Sequence, residues 1–105
     1  MNEQKHCFVS NMVFDGNYKV CYMYLEEPDN ENDSGWRFLV GNEDSEYMAD
    51  ADNFQMMTLK EIADYDPDIL PYLNRTIRQA YIRINSTDFT SDDGSSDIYI
   101  EHKSI

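Results

Sequence analysis

The order of strand-like and helical segments is the feature that most constrains the fold of this chain. In order, it has three apolar β-type segments, one helical segment and two more β-type segments, at residues 6–13, 18–25, 36–40, 58–73, 76–84 and 97–102. Because strands and helices do not alternate, this order is not that of a parallel βαβ sheet. We therefore predict an α+β fold, a mainly antiparallel β-sheet of about five strands with the helical segment packed on one face.

The helical segment carries a clear start signal. Thr58 and Glu61 have the spacing of a capping box, in which the two side chains satisfy backbone amides at the start of a helix. Leu59 and Ile62 then share one apolar face of that helix. The Asp66-Pro67 pair predicts the end of the first helix, and Pro67 can begin a second short one that runs to Leu73.

The two cysteines lie in the first two apolar segments. Asp15-Gly16 has the composition of a tight turn, so residues 6–13 and 18–25 are predicted to form a β-hairpin. In that register Cys7 is opposite Tyr24 and Ser10 is opposite Cys21, which places the two thiols on opposite faces of the sheet. We therefore predict two free thiols, as expected in a reducing compartment.

Size and charge limit the class of function. A chain of 105 residues fits a single domain spanning 1–105, and its 41% apolar content indicates that it folds. Its 21 acidic and 8 basic residues give a formal charge of −13, which repels nucleic acids and anionic membranes and attracts basic proteins. The sequence shows neither a signal-peptide pattern nor an apolar run of about 18 residues, so a cytoplasmic location is expected.

The negative charge is concentrated in two segments on either side of the predicted strand 36–40. Residues 26–52 contain ten acidic residues and one basic residue, Arg37. Turn-forming residues surround these acids, so the segments are predicted to be exposed loops that form one partner-binding patch. These acids are expected to have no structural role. The predicted contact residues are Glu26, Glu27, Asp29, Glu31, Asp33, Glu43, Asp44 and Glu46.

The motifs tested for chemistry do not support an enzyme. The segment 29–35 resembles a calcium loop, but no register supplies both the glycine and the bidentate glutamate of that loop. His6 and Cys7 are adjacent on a strand, so their side chains point to opposite faces. The glycines are scattered and do not form a phosphate-binding loop. We therefore predict a binding protein with no catalytic residue, no metal ligand and no cofactor.

Several strings in the chain indicate a family. They are Asp33-Ser34-Gly35-Trp36-Arg37-Phe38, Gly41-Asn42-Glu43-Asp44, Glu46-Tyr47-Met48 and Ile62-Ala63-Asp64-Tyr65-Asp66-Pro67. Over about residues 7–83 the chain resembles the bacterial immunity protein 33 domain family. The resemblance implies a protein that neutralises a toxin used between competing bacteria. Many such toxins are nucleases with basic active surfaces. Residues 74–79 depart from the family pattern, and residues 84–105 are predicted to be a C-terminal strand extension.

The most specific of these strings is predicted to have a structural role. Trp36 and Phe38, two residues apart on a strand, should point into the core, whereas Arg37 should face the acidic segments. The residues assigned to this structural motif are Ser34, Gly35, Trp36, Arg37 and Gly41.

Three functions remain open from the sequence. They are an immunity protein that binds a basic toxin, a housekeeping or regulatory protein-binding module that shares this domain, and a small metal-dependent enzyme. The oligomeric state is open as well.

Overall fold

A computed structural model describes residues 3–75 and 79–103 of the chain. Its strands are β1 His6–Ser10, β2 Tyr22–Leu25, β3 Asp33–Leu39, β4 Phe54–Thr58, β5 Ala80–Arg83 and β6 Phe89–Ser91. Its helices are α1 Asn11–Asp15, α2 Ser45–Met48 and α3 Leu59–Tyr65, with 3-10 turns at Ala51–Asn53 and Pro67–Tyr72. The predicted α+β class is confirmed.

The described strands form one six-stranded sheet with the order β4-β1-β3-β2-β5-β6. Neighbouring strands are antiparallel except for β1 and β3, which run parallel. The sheet is therefore mainly antiparallel, as predicted. This pairing places β1 inside the sheet, between β4 and the strand that carries Trp36 and Arg37.

The predicted hairpin of residues 6–13 and 18–25 is wrong. β1 ends at Ser10, whose hydroxyl accepts a hydrogen bond from the Met12 amide at 3.3 Å and caps α1. Gly16 ends this helix, with its amide donating to the Met12 carbonyl. Asp15-Gly16 is therefore the end of a short helix and does not form a hairpin turn. β3 lies between β1 and β2, so the predicted Cys7–Tyr24 register does not exist.

The helical segment 58–73 forms as predicted and covers one face of the sheet. Both hydrogen bonds of the Thr58–Glu61 capping box are present, and α3 begins at Leu59. The 3-10 turn Pro67–Tyr72 follows, with Asp66 as its cap. One row of sheet side chains faces these elements across β1, β3, β2 and β5: Val9, Phe38, Met23 and Tyr81.

A buried arginine joins β5 to the helical layer. Arg83 is fully buried, and its guanidinium donates to Asp66 and Asp68, each at 2.9 Å. Its Nε also donates to the Val20 carbonyl at 2.9 Å. The guanidinium carbon lies 4.7 Å from the centroid of the Phe89 ring. Because a buried charge needs full compensation, this network fixes the helical layer to the sheet.

The C-terminal region differs from the prediction. The predicted strand 76–84 corresponds to β5 at Ala80–Arg83, and residues 76–78 lie outside the described residues. The edge strand β6 lies between the two predicted segments 76–84 and 97–102. The predicted strand at 97–102 is wrong, since only His102 there makes a β-bridge, to Tyr18. The last strand lies earlier in the chain than the alternation of residues 97–102 indicated, because β6 pairs with β5, with Phe89 opposite Arg83.

No helix among the described residues is long and apolar enough to cross a membrane.

Candidate partner-binding face

The second face of the sheet carries aromatic side chains that the helical layer does not cover. Strand pairing aligns Phe8, Arg37 and Tyr24 in one row across β1, β3 and β2. The next row aligns Leu39, Tyr22 and Ile82. We call this side of the sheet the open face. Phe8, Tyr22 and Tyr24 are only half-buried, so aromatic surface remains accessible there.

Arg37 is the central residue of the open face. It points away from the core and toward the first acidic segment, as predicted. Its guanidinium donates two parallel hydrogen bonds to Asp33, at 2.9 and 2.8 Å, and a third to Glu26 at 3.1 Å. The Phe8 ring lies 4.8 Å from the guanidinium carbon. Trp36 and Phe38 stack on the opposite, buried side with ring centroids 6.0 Å apart. The sequence therefore predicted the alternation of this strand correctly.

Asp33 holds the first acidic loop in place. Besides Arg37, its carboxylate accepts the backbone amides of Asp29 at 2.9 Å and Gly35 at 3.0 Å. Hydrogen bonds from Arg37 hold the pKa of Asp33 well below its usual range, and they outweigh the effect of burial. Asp33 is only 3% exposed, so it supports the loop and does not present a charge to solvent.

Gly35 and Gly41 have backbone conformations that favour glycine. Gly35 has a φ of 88°, and a Cβ atom there would lie 2.3 Å from the carbonyl oxygen of Glu26. Gly41 has a φ of 111°, and a Cβ atom there would meet the Ile98 side chain. Directly before Gly35, the Ser34 hydroxyl accepts a hydrogen bond from the Trp36 amide at 3.1 Å. The motif residues thus shape β3 and its two connections.

Two of the predicted contact acids in the second loop also have backbone roles. Glu43 accepts hydrogen bonds from the amides of Val40 at 2.9 Å and Gly41 at 2.7 Å. Asp44 caps α2 by accepting the Tyr47 amide at 2.8 Å. The expectation that the fold does not require these acids is therefore wrong for Glu43 and Asp44, and also for Asp33.

The other predicted contact acids are on the surface. The side chain of Glu26 is 46% exposed although it pairs with Arg37. The remaining exposed acids are Glu27, Asp29 and Glu31 in the first loop and Glu46 in α2. Among the described residues, the carboxylates of Asp29, Glu31 and Glu46 accept no hydrogen bond that fixes the backbone.

Tyr47 fixes the second acidic loop against the sheet. Its hydroxyl donates to the Asn53 carbonyl at 3.2 Å and accepts from the Met12 amide at 3.2 Å. The ring packs edge-on against Phe54 at 6.0 Å. These contacts place α2 and the turn Ala51–Asn53 beside the open face.

A cleft of about 250 Å³ lies where the two acidic loops approach each other over the open face. The first loop contributes Glu26 and Asp29, and the second contributes Met48 and Ala51. The sheet contributes Phe8, Tyr24, Arg37 and Phe54. The two loops predicted to form one patch therefore share one concave site, which we call the loop cleft.

Sequence reasoning did not identify the aromatic floor of this site. Tyr22 and Tyr24 alternate with the buried Met23, which is a half-buried strand pattern, but the lack of a second helical layer has no local sequence signal. β4 was also missed. Within this strand, Met57 packs on the core, whereas Met56 is 60% exposed.

Neither thiol is suited to nucleophilic chemistry at neutral pH. Burial raises the pKa of Cys7 to about 12, which leaves the thiol protonated. Burial also raises the pKa of Cys21. Both cysteines are free and buried. Across residues 3–75 and 79–103, no group of three or more His, Cys, Asp or Glu side chains could hold a metal ion.

Comparison with protein-family models gives the functional class. The model of the immunity protein Imm33 domain matches residues 7–93 of the chain. The chain belongs to the Imm33 family. This confirms the suspected family, and the match extends past the predicted boundary at residue 83 to include β6.

Membership of the Imm33 family supports a general role in toxin immunity with a toxin protein as partner. Immunity domains generally act as inhibitors without catalysis of their own, which agrees with the general class predicted from the sequence. No curated protein and no solved structure gave a significant match to the Imm33 chain.

Proposed function

We propose that this Imm33 protein neutralises a basic toxin by stoichiometric binding, with its open face and two acidic loops covering a basic surface of the toxin. The observation that carries this proposal is the loop cleft, where both acidic loops border an uncovered aromatic face. The chain charge of −13 favours a partner of opposite charge.

The composition of this site suits a protein interface. Aromatic side chains give large contact areas and are enriched among residues that dominate binding energy. Phe8, Tyr22 and Tyr24 supply such surface on rigid strands, which limits the entropy lost on binding. A surrounding rim of carboxylates would steer a basic partner and set its orientation.

The acids proposed to contact the toxin are those that the fold leaves exposed. Asp29, Glu31 and Glu46 are the main candidates because the backbone does not depend on their carboxylates. Glu26 and Glu27 are exposed beside them. Glu43 and Asp44 would add negative potential at the rim while they hold the second loop.

A nuclease is the toxin class that this surface fits best. Nucleases bind polyanionic substrates with basic surfaces, and an acidic protein can cover such a surface as the substrate would. An immunity protein against a nuclease must meet it where the nucleic acid is, so the proposed location is the cytoplasm.

The gene of a neutralised toxin is expected beside the gene of its immunity protein, and titration against a toxin found there would test the proposal. Nuclease activity should fall linearly and reach its minimum at one molecule of Imm33 protein per toxin, with a 1:1 complex on size-exclusion chromatography. Inactivation by substoichiometric amounts would indicate that the protein modifies or degrades the toxin catalytically. A 1:1 complex that leaves the toxin active would also contradict the proposal.

A further inference from the structure

We infer that the loop cleft receives the side chain of an arginine of the toxin; this assignment rests on the proposed function and names the chemistry of its central contact. The cleft volume of about 250 Å³ is below the roughly 300–1,000 Å³ of most small-molecule sites. A hollow of this size suits one long side chain, as in the anchor pockets of protein interfaces.

The residues that line the cleft suit both the methylene groups and the guanidinium of an arginine. Phe8, Tyr24, Met48 and Phe54 line it and are all half-buried. These side chains would contact the three methylene groups of an arginine. The aromatic rings would also attract a planar guanidinium, which stacks on such faces better than an ammonium does.

The charges around the cleft favour a cation even though Arg37 is part of its lining. Arg37 is already bound by Asp33 and Glu26, at 2.8 and 3.1 Å. Asp29 lies beside them in the lining. Three carboxylates therefore face one guanidinium, and an incoming cation would reduce the local excess of negative charge.

Glu26 and Asp29 would be the direct partners of the incoming guanidinium. Arg37 donates to Glu26 through Oε2 at 3.1 Å, and a carboxylate has enough lone pairs to accept further donors. The backbone amide of Asp29 is fixed by Asp33 at 2.9 Å, so this loop acid has a defined position. A guanidinium has enough donors to bind both carboxylates.

A second copy of this chain is a poor occupant by the same reasoning. Each copy has a charge of −13, and a symmetric contact would bring the same carboxylates of both copies together. Self-association is therefore expected to be weak, and arginine from a basic protein is the occupant that the charges select.

Two matched pairs of variants separate filling of the cleft from general electrostatics. Ala51→Phe would fill the cleft without changing charge, and Ala49→Phe adds the same bulk two residues away, outside the cleft lining. Asp29→Asn removes one charge at the cleft. Asp15→Asn removes one charge at the end of α1, whose Phe14 packs on Tyr65 of α3 on the helical side of the sheet.

The test uses the folded protein and Nα-acetyl-L-arginine methylamide as probe, followed by amide NMR shifts, with the neutral citrulline analogue as comparison. The expected result is saturable shifts confined to the cleft, at Tyr24, Met48 and Phe54. They should be lost in Ala51→Phe, kept in Ala49→Phe and absent with the citrulline analogue. Asp29→Asn should weaken binding by about fivefold or more, and Asp15→Asn should leave it unchanged.

Shifts spread over exposed acids and unaltered in Ala51→Phe would overturn the assignment, as would a lack of saturable shifts. The same variants titrated with the toxin distinguish the two proposals. If wild type fails to bind toxin, the proposed function fails, whereas the probe still reports on the cleft. If wild type binds toxin and Ala51→Phe binds equally well, only the arginine assignment fails.

Discussion

The guanidinium of Arg37 and the carboxylate of Asp33 form a bidentate ion pair at 2.8 and 2.9 Å, with both side chains almost fully buried. The pair joins the start of β3 to its centre, and Asp33 also binds two backbone amides of the preceding loop. It therefore connects the first acidic loop to the open face, where the proposed toxin contact lies.

Asp33→Asn should destabilise the protein by about 3 kcal/mol, because removing one charge leaves a buried guanidinium only partly compensated. Glu26→Gln is the matched control, since Glu26 binds the same arginine from an exposed position. It should cost less than about 1 kcal/mol. Urea unfolding of both variants measures the difference, and equal losses would contradict a structural role for Asp33.

The ion pair also predicts how stability changes in acid. The pKa of Asp33 is lowered in the folded protein, whereas it is about 3.9 in an unfolded chain. Its contribution is therefore complete above that unfolded value and is lost as the pH falls toward the folded one. The stability of wild type should fall more steeply than that of Asp33→Asn below about pH 5. Parallel pH profiles from thermal melts would contradict this assignment.

Gly35→Ala and Gly94→Ala form a second matched pair. Both glycines have positive φ, 88° and 84°, so both variants incur a conformational penalty of about 1 kcal/mol. Only at Gly35 would the new Cβ atom also approach the Glu26 carbonyl, at 2.3 Å. Gly35→Ala should therefore be clearly less stable by chemical denaturation. Equal stabilities would show that the loop relaxes around the new methyl group.

The two thiols give a simple test of burial. Cys7 and Cys21 should react slowly with a thiol reagent at pH 8 in the folded protein, because both are fully buried and the pKa of each is raised. Both should react at once in denaturant without prior reduction. Rapid reaction of the native protein would contradict the burial, and fewer than two thiols after denaturation would indicate a disulfide.

Local signals in the sequence predicted local structure well. The capping box at Thr58 and Glu61 depends on residues three apart, so α3 and its start could be placed without tertiary information. The alternation of Trp36, Arg37 and Phe38 was also sufficient to assign two faces of β3. The acidic segments were located in outline, since they have few residues to bury, but Asp33 is a buried residue of β3 and the second segment contains α2.

Long-range pairing was not predictable in the same way. Asp15-Gly16 fits both a hairpin turn and a helix end, and parallel pairing of β1 with β3 decided between them. For the site, the sequence indicated the acids but not their separate roles, because hydrogen bonds to the backbone depend on loop geometry. Glu43 and Glu46, for example, differ in this respect although they belong to one acidic segment.

The most direct test of the central claim is the association rate of the Imm33 protein with its toxin at low and high salt. The triple variant Asp29→Asn, Glu31→Gln, Glu46→Gln removes exposed charge only, so its melting curve should match wild type. Asp15→Asn controls for the loss of remote charge. The exposed acids should speed association with a basic toxin at low salt, and this effect should fade at higher salt because exposed charges are screened beyond about 10 Å at 0.1 M salt. The triple variant should therefore associate more slowly than wild type at low salt and show a flatter salt dependence. Equal rates and equal salt slopes for wild type and the triple variant would contradict binding through the acidic loops.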